Sequence, residues 1–123
     1  MYCWGRNDEG QIGDGSTTDR DLPTQVGTNI DWTEVAAAST HTCGRRAGAV
    51  YCWGINGDGA LGDGTTNDRT APTAIGGATD WTALAGGITH TCGVRAAALY
   101  CWGNGLYGQV GVGDSWSPGA VEF

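Results

Sequence analysis

The chain has 123 residues, 23 of them glycine, and a formal net charge of −7 with no lysine. Nucleic acids and anionic membranes bind clustered Lys and Arg, so six scattered arginines among thirteen acidic residues argue against both partners. No lysine is available for Schiff-base or P-loop chemistry, no apolar run is long enough to cross a bilayer, and no segment has the pattern of a signal peptide.

A repeat with an interval of 49 residues organises the whole chain. The triplet Cys-Trp-Gly begins at Cys3, Cys52 and Cys101, DWT at 31–33 recurs at 80–82, and HTC at 41–43 recurs at 90–92. These positions predict a single module with repeats of approximately 3–51, 52–100 and an incomplete 101–123.

Each repeat contains four short segments with the composition of strands, separated by turn-rich loops. In chain order the middle repeat has VYCWG (50–54), APTAI (71–75), WTALAG (81–86) and HTCGV (90–94). TEVAAAS (33–39) is compatible with a helix, but its counterpart TALAGGI (82–88) has two glycines, so both are predicted to be strands. Four antiparallel strands in about 50 residues form one β-propeller blade, so the sequence predicts an all-β chain of about two and a half blades.

The stretch YCWGINGDGALGDGTTNDRTAPTAI (51–75) resembles the repeat of the regulator-of-chromosome-condensation family, which reads roughly W-G-x-N-x-x-G-x-L-G, a polar loop and P-x-x-V. WGRNDEGQIG (4–13) is similar to it as well. The cysteines resemble those in the form of this repeat found in bacterial secreted and surface proteins. The resemblance covers essentially the whole chain and implies a β-propeller, usually of seven blades.

Three departures from the family pattern affect what the resemblance implies. The hairpin between the two cysteine strands has Ala47-Gly48 or Ala96-Ala97 in place of Asp-Gly, and AAAST (36–40) lacks the glycine that precedes the later histidine. Only about two and a half repeats are present. Family members include exchange factors for a small GTPase, photoreceptors and β-lactamase inhibitors, but their functional residues are not identifiable in this chain.

The hairpin centred on residues 47–48 places Cys43 opposite Cys52, and the second hairpin places Cys92 opposite Cys101. Directly opposed residues have Cα atoms roughly 4.5–5.5 Å apart, which a disulfide can bridge. The register therefore predicts the disulfides Cys43–Cys52 and Cys92–Cys101, and with them an oxidising compartment and export.

The same register places Gly44 opposite Tyr51 and His41 opposite Gly54. We expect the tyrosine ring to cover Gly44, and Gly54 to leave room for the imidazole. The second copy repeats both pairs, which favours a packing role for these residues.

Two chemical alternatives for the cysteines are less favoured. Zinc would need free thiolates, and no tight C-x-x-C pair is present. A catalytic cysteine needs one activated thiolate in one cleft, whereas these residues occur in equivalent copies. Cys3 is the exception: its partner would precede Met1, so we expect it to be free or to pair with another chain, and expect the chain to be part of a longer propeller or of a multi-chain assembly.

The loops DGSTTDRD (14–21) and DGTTNDRT (63–70) have acidic residues that suggest calcium. Their spacing matches neither an EF-hand nor a calcium-binding β-roll, and Asp, Ser and Thr also form turns by bonding their own backbone. The turn interpretation is favoured, and weak calcium binding stays open.

The repeated tryptophans are expected to pack within and between blades. Tyr107 and Trp116 occur only in the third copy, and such non-repeated aromatics are better candidates for a contact surface.

These observations predict a non-enzymatic propeller module that binds a protein partner or copies of itself. No cofactor, metal, nucleic acid, membrane insertion or small-molecule substrate is expected. Head-to-tail blade packing into an extracellular filament or ring is the alternative, and a hydrolytic or carbohydrate-binding propeller is the less favoured one.

Overall fold

Ten β-strands make up the fold in the computed structural model, which describes residues 1–111 and the backbone of 117–122. The strands are β1 (Tyr2–Gly5), β2 (Arg20–Gln25), β3 (Trp32–Ala37), β4 (His41–Arg46), β5 (Ala49–Gly54), β6 (Arg69–Ala74), β7 (Trp81–Gly86), β8 (His90–Arg95), β9 (Ala98–Gly103) and β10 (Ser117–Glu122). The segment at 33–39 that is compatible with a helix is a strand in both copies, as predicted. No helix in this described part of the chain could span a membrane.

The strands form three antiparallel sheets of the propeller-blade type. The first contains only β1 and β2, the second has the order β3-β4-β5-β6, and the third has the order β7-β8-β9-β10. The predicted two and a half blades are therefore confirmed. Each complete blade begins at a DWT motif and ends with the strand that follows the next Cys-Trp-Gly strand. The blade boundaries therefore fall inside the sequence repeats.

The β4–β5 and β8–β9 hairpins carry the cysteines in the predicted register. Cys43 lies opposite Cys52 and Cys92 opposite Cys101. The sulfur atoms are 2.10 Å apart in the first pair and 1.99 Å apart in the second, so both pairs are at disulfide distance. Both turns use two residues with positive φ, which matches the twist of a tight hairpin.

Two expectations about the glycines in these hairpins are wrong in their physical detail. Gly44 lies opposite Tyr51 as predicted, but a Cβ at Gly44 would lie 2.7 Å from the ring of Trp32, so Trp32 covers this glycine. A Cβ at Gly54 would meet the backbone of Thr40 and His41, so this glycine admits a close backbone approach and not the imidazole. The glycines are still required for packing, but for different neighbours.

The hydrophobic core lies between the two complete blades. One face of the β3–β6 sheet, with Cys43, Val50 and Cys52, packs on Trp81 and Trp102 of the β7–β10 sheet. Within each blade the first-strand tryptophan contacts the Cys-Trp-Gly tryptophan edge to face, at 6.0 Å between ring centroids for Trp32–Trp53 and 5.8 Å for Trp81–Trp102. The repeated tryptophans in the complete blades are therefore packing residues, as predicted.

Candidate binding surfaces

The half blade β1–β2 is the structural counterpart of β5–β6. Cys3 pairs with Thr24 as Cys52 pairs with Thr73, and Gly5 pairs with Arg20 as Gly54 pairs with Arg69. In the complete blade the opposite edge of β5 is bonded to β4, whereas β1 has no second neighbour among the described residues. An unpaired strand edge presents backbone N–H and C=O groups that can bind another strand.

The side chains of β1 show the consequence. Trp4 is 61% exposed, whereas its counterparts Trp53 and Trp102 are fully buried. Tyr2 is 58% exposed, although its counterpart Tyr51 is only partly exposed. The complete blades bury the tryptophan of this pair and partly cover the tyrosine, whereas both rings are open to solvent on the half blade.

A groove of about 350 Å³ separates the β1 edge from the first complete blade. Cys3 and Trp4 line one wall, and Val35, Ala37 and Ala38 line the other. Val35 is 49% exposed because nothing in the described chain covers this face of β3. The groove is mostly apolar, which suits a protein segment better than a charged ligand.

The interface between the two complete blades shows what normally covers such a face. Glu34 Oε1 accepts a hydrogen bond of 3.0 Å from the Leu84 backbone N–H, and His41 Nε2 lies 2.8 Å from Thr91 Oγ1. A Cβ at Gly86 would lie 2.9 Å from the Cβ of Ala38. Leu84 and Gly86 are the counterparts of Val35 and Ala37, which line the open groove.

The other end of the stack has a second exposed apolar face. Leu99 is 46% exposed, whereas its counterpart Val50 is 1% exposed under the next blade. The predicted contact residue Tyr107 is 92% exposed at the same end of the chain. Trp116, the other predicted contact residue, lies outside the described residues.

All six arginines form ion pairs, so the chain has no cluster of unpaired cations. Arg46 pairs with Asp31 at 3.0 Å and lies over the rings of Trp32 and Tyr51. Arg95 repeats this arrangement with Asp80 and Trp81. Arg46 and Arg95 therefore each contact the aromatic side chains of their own blade.

The two Asp-rich loops are built around a buried asparagine that the sequence interpretation did not single out. The Asn56 side chain donates to the carbonyl oxygens of Thr65 and Asn67 and accepts from the Leu61 N–H, all at 3.0 Å. Asn7 makes the same bonds in the first copy. Both asparagines are the N of the W-G-x-N pattern, so their 49-residue spacing was the available signal; Gly105 occupies this position in the third copy.

Asp14 and Asp63, which open the two loops, are satisfied within them. Asp63 accepts from the Thr65 N–H and hydroxyl and pairs with Arg69 at 2.9 Å. Burial opposes the charge of Asp63, but these hydrogen bonds outweigh it and lower its pKa. No group of three metal-binding side chains occurs in the described part of the chain. The geometry fits the turn interpretation of both loops.

Cys3 is half-buried and unbonded, at the edge of the groove. Burial raises the pKa of its thiol, and the nearby N-terminal amino group opposes this rise. Cys3 is thus mainly a thiol at neutral pH, without the activation that a catalytic cysteine requires.

Comparison with known proteins agrees with this architecture. A family model described as the regulator of chromosome condensation (RCC1) repeat matches residues 1–44 and 47–94. The chain belongs to the RCC1 repeat family. No curated protein sequence matches it significantly.

The fold of this chain is similar to parts of solved structures. Human WBSCR16 is 26% identical, with a TM-score of 0.84 over 99% of this chain and 34% of its own. Prp20p from Saccharomyces cerevisiae is 21% identical, with a TM-score of 0.82 over 98% of this chain and 33% of its own. The chain spans about a third of the length of each, so it corresponds to a part of a propeller.

Proposed function

We propose that this chain is a non-enzymatic RCC1-type repeat module that binds protein through the two end faces of its blade stack. The observation that carries the proposal is the exposure of Trp4 and Val35 at one end and of Leu99 at the other. Their counterparts form the buried contacts between blades inside the chain. Exposed apolar patches at such positions are typical of protein interaction sites.

The similar structures support protein binding as the class of function. The structure of Prp20p was described with its binding properties to Gsp1p and histones, and yeast RCC1 (Prp20) was solved bound to Kap60. Those partners belong to those proteins. For this chain, the acidic charge and paired arginines favour a protein surface over nucleic acid.

The proposal includes a bacterial extracellular or cell-surface location. It rests on the two cysteine pairs at disulfide distance, since such bonds persist in oxidising compartments. Thiol quantification on denatured protein purified without reductant tests this part. One free thiol per chain is expected, and five would contradict it.

Head-to-tail binding of copies is the second candidate. Leu99 is the counterpart of Val50, whose face packs on Trp81 of β7 within the chain, so the Leu99 face of one chain could pack on another copy in the same way. Light scattering on the oxidised full chain across a range of concentrations tests both candidates. Self-assembly predicts a mass above that of the monomer. Leu99→Asp should lower this mass, whereas the control variant Thr82→Asp, on the exposed side of β7, should not. A monomer at every concentration removes self-assembly and leaves a different protein as the partner.

A further inference from the structure

We propose that protonation of His41 opens the seam between the two complete blades and thereby admits a soluble reductant, such as a phosphine, to the buried Cys43–Cys52 disulfide. The seam is the surface where β4 and β5 pack on the next blade. The inference goes beyond the proposed binding role and does not depend on either end face, because the groups that carry it lie between two complete blades.

The hydrogen bonds around the His41 imidazole admit only one ring proton. His41 is fully buried, and its Nε2 lies 2.8 Å from Thr91 Oγ1. The Thr91 hydroxyl donates to the Ala60 carbonyl at 2.8 Å, so Nε2 must carry the proton and donate to Thr91. Nδ1 is buried without a hydrogen-bond partner among the described residues. A second proton on Nδ1 therefore creates a buried charge that water can reach only if the seam opens.

The groups that face His41 do not compensate this charge. Gly54 lies opposite His41 on β5, and Cys43 on the same strand does not titrate because it is bonded to sulfur. His90 is the titratable group that acts on His41 from β8, and its charge has the same sign. Burial, with His90 as the smaller cause, lowers the pKa of His41 to about 4, which is the direction expected where the charged form is excluded.

One departure from the repeat keeps the imidazole in the seam. His90 lies against Gly87, where an added Cβ would be 2.2 Å from the ring Cε1. Ala38 is the counterpart of Gly87, and both turns have the same backbone hydrogen bond to the histidine carbonyl, at 2.9 and 2.8 Å. The Cβ of Ala38 therefore excludes the His41 ring from that orientation. The ring points to Thr91 of the next blade instead.

The hydroxyl that binds His41 also covers the disulfide. Cys43 Sγ lies 3.9 Å from Thr91 Oγ1, and Cys43 and Cys52 are 1% and 0% exposed. Reduction requires a nucleophile to reach a sulfur atom, and the closed seam prevents this. Opening the seam at His41 moves Thr91 away from Cys43. The disulfide is therefore protected at neutral pH and becomes reducible in mild acid.

The experiment uses the full chain, purified without reductant, and tricarboxyethylphosphine, which still reduces disulfides in acid. Phosphorus attacks one sulfur, the S–S bond breaks, and the other sulfur leaves as a thiolate that takes up a proton. Water then releases the first sulfur as a thiol and leaves the phosphine oxide, so phosphorus loses the two electrons that the disulfide gains. Alkylation and mass spectrometry measure each cysteine pair, and the partly exposed Cys92–Cys101 pair is the reference for the reactivity of the phosphine at each pH.

We expect the rate of Cys43–Cys52 reduction, relative to Cys92–Cys101, to rise at least about tenfold between about pH 7 and about pH 5, because the open seam binds a proton that the closed seam does not. His41→Gln should abolish this rise, since glutamine can donate to Thr91 but does not titrate. His90→Gln is the control and should keep most of the rise. Circular dichroism should be the same at both pH values.

Two equivalent threonines test the role of the hydroxyl. Thr42, the counterpart of Thr91, donates to the Gln11 carbonyl at 2.8 Å as Thr91 donates to Ala60. Thr91 contacts a histidine and a cysteine in addition. Thr91→Val should therefore raise the relative reduction rate several-fold at neutral pH and weaken its pH dependence. Thr42→Val should change neither.

A relative reduction rate that does not change with pH would overturn the proposal. So would reduction that begins only where the circular dichroism signal is lost, because the chain would then unfold as a whole and not open at the seam. Free thiols at Cys43 and Cys52 in the purified chain would contradict it as well. Binding at the end faces is measured separately by light scattering, so either conclusion can fail without the other.

Discussion

The imidazole of His41 on β4 lies 2.8 Å from the hydroxyl oxygen of Thr91 on β8. This buried contact between two side chains links one complete blade to the other. The Thr91 hydroxyl donates to the Ala60 carbonyl at 2.8 Å and therefore accepts from the imidazole. His41 must carry its proton on Nε2. Its buried Nδ1 has no hydrogen-bond partner among the described residues, so a second proton there would be an uncompensated buried charge.

We expect the stability of the chain to fall as the pH is lowered from about 6.5 to about 4, because His41 titrates differently in the folded and unfolded chains. Burial, with a smaller effect of nearby His90, lowers the pKa of His41 from 6.5 to about 4. Between these values the unfolded chain binds a proton that the folded chain does not, so stability is present above pH 6.5 and is lost as the pH falls to about 4. The loss is on the order of 3 kcal/mol and is measured by urea unfolding across this range.

His41→Gln should flatten this pH dependence, because glutamine can still donate to Thr91 but does not titrate. His90→Gln is the matched control in the other repeat and should leave the slope largely intact. Asp14 and Asp63 act in a lower range: hydrogen bonds outweigh burial and bring the pKa of each below 3.8, so their contribution is lost only below that value. An unchanged slope in His41→Gln would contradict this assignment.

The two hairpin turns predict opposite effects for two small substitutions. Gly48 has a φ of 75°, and a Cβ there would overlap the carbonyl oxygen of Thr79. Gly48→Ala should cost at least about 2 kcal/mol, because it adds a steric clash to backbone strain. Ala97, its counterpart, already has a φ of 62°, so Ala97→Gly should stabilise the chain by about 0.5–1 kcal/mol. Thermal unfolding of both variants checks the signs, and a stabilising Gly48→Ala would refute the account.

The buried asparagines predict a large loss on a small side-chain change. Asn56→Ala leaves the carbonyls of Thr65 and Asn67 and the Leu61 N–H without their bonds inside the loop. Each unsatisfied buried group costs about 1–3 kcal/mol, so we expect a loss of at least about 2 kcal/mol. Asn104→Ala, in a partly exposed position, should cost well under half as much. The denaturant midpoints of the two variants compare their losses of stability. Equal midpoints would disprove the role of the Asn56 hydrogen bonds in holding the loop.

Local pattern made most of the fold predictable. The 49-residue interval predicted the number and kind of blades, although each complete blade spans parts of two sequence repeats. Counting outwards from the hairpin centres gave the register of Cys43 with Cys52. Contacts between blades were not predictable in the same way, because they depend on how sheets stack and not on spacing within one repeat. The sequence therefore assigned the cover of Gly44 to its cross-strand neighbour Tyr51, whereas Trp32 reaches it from the adjacent strand.

The candidate binding surfaces divide along the same line. Cys3 was identifiable from the sequence because the repeat leaves it without a partner, but the groove beside it was not. The exposure of Trp4 and Val35 required the structure, since identical motifs are buried elsewhere in the chain. The repeat in the sequence thus identified the equivalent residues. Only the stacking of the blades in the structure showed which of them lie in the core and which lie on the surface.

The two disulfides should differ in how readily they are reduced, although their hairpins are equivalent. Cys43 and Cys52 are 1% and 0% exposed because the next blade covers them, whereas Cys92 is partly exposed on the open Leu99 face. Thiol attack requires access to a sulfur, so limiting dithiothreitol should reduce Cys92–Cys101 first. Alkylation with light and heavy reagents followed by mass spectrometry measures each pair separately. Binding of a partner at the Leu99 face should slow this reduction and leave Cys43–Cys52 unaffected, and equal reduction rates in the free chain would contradict the exposed face.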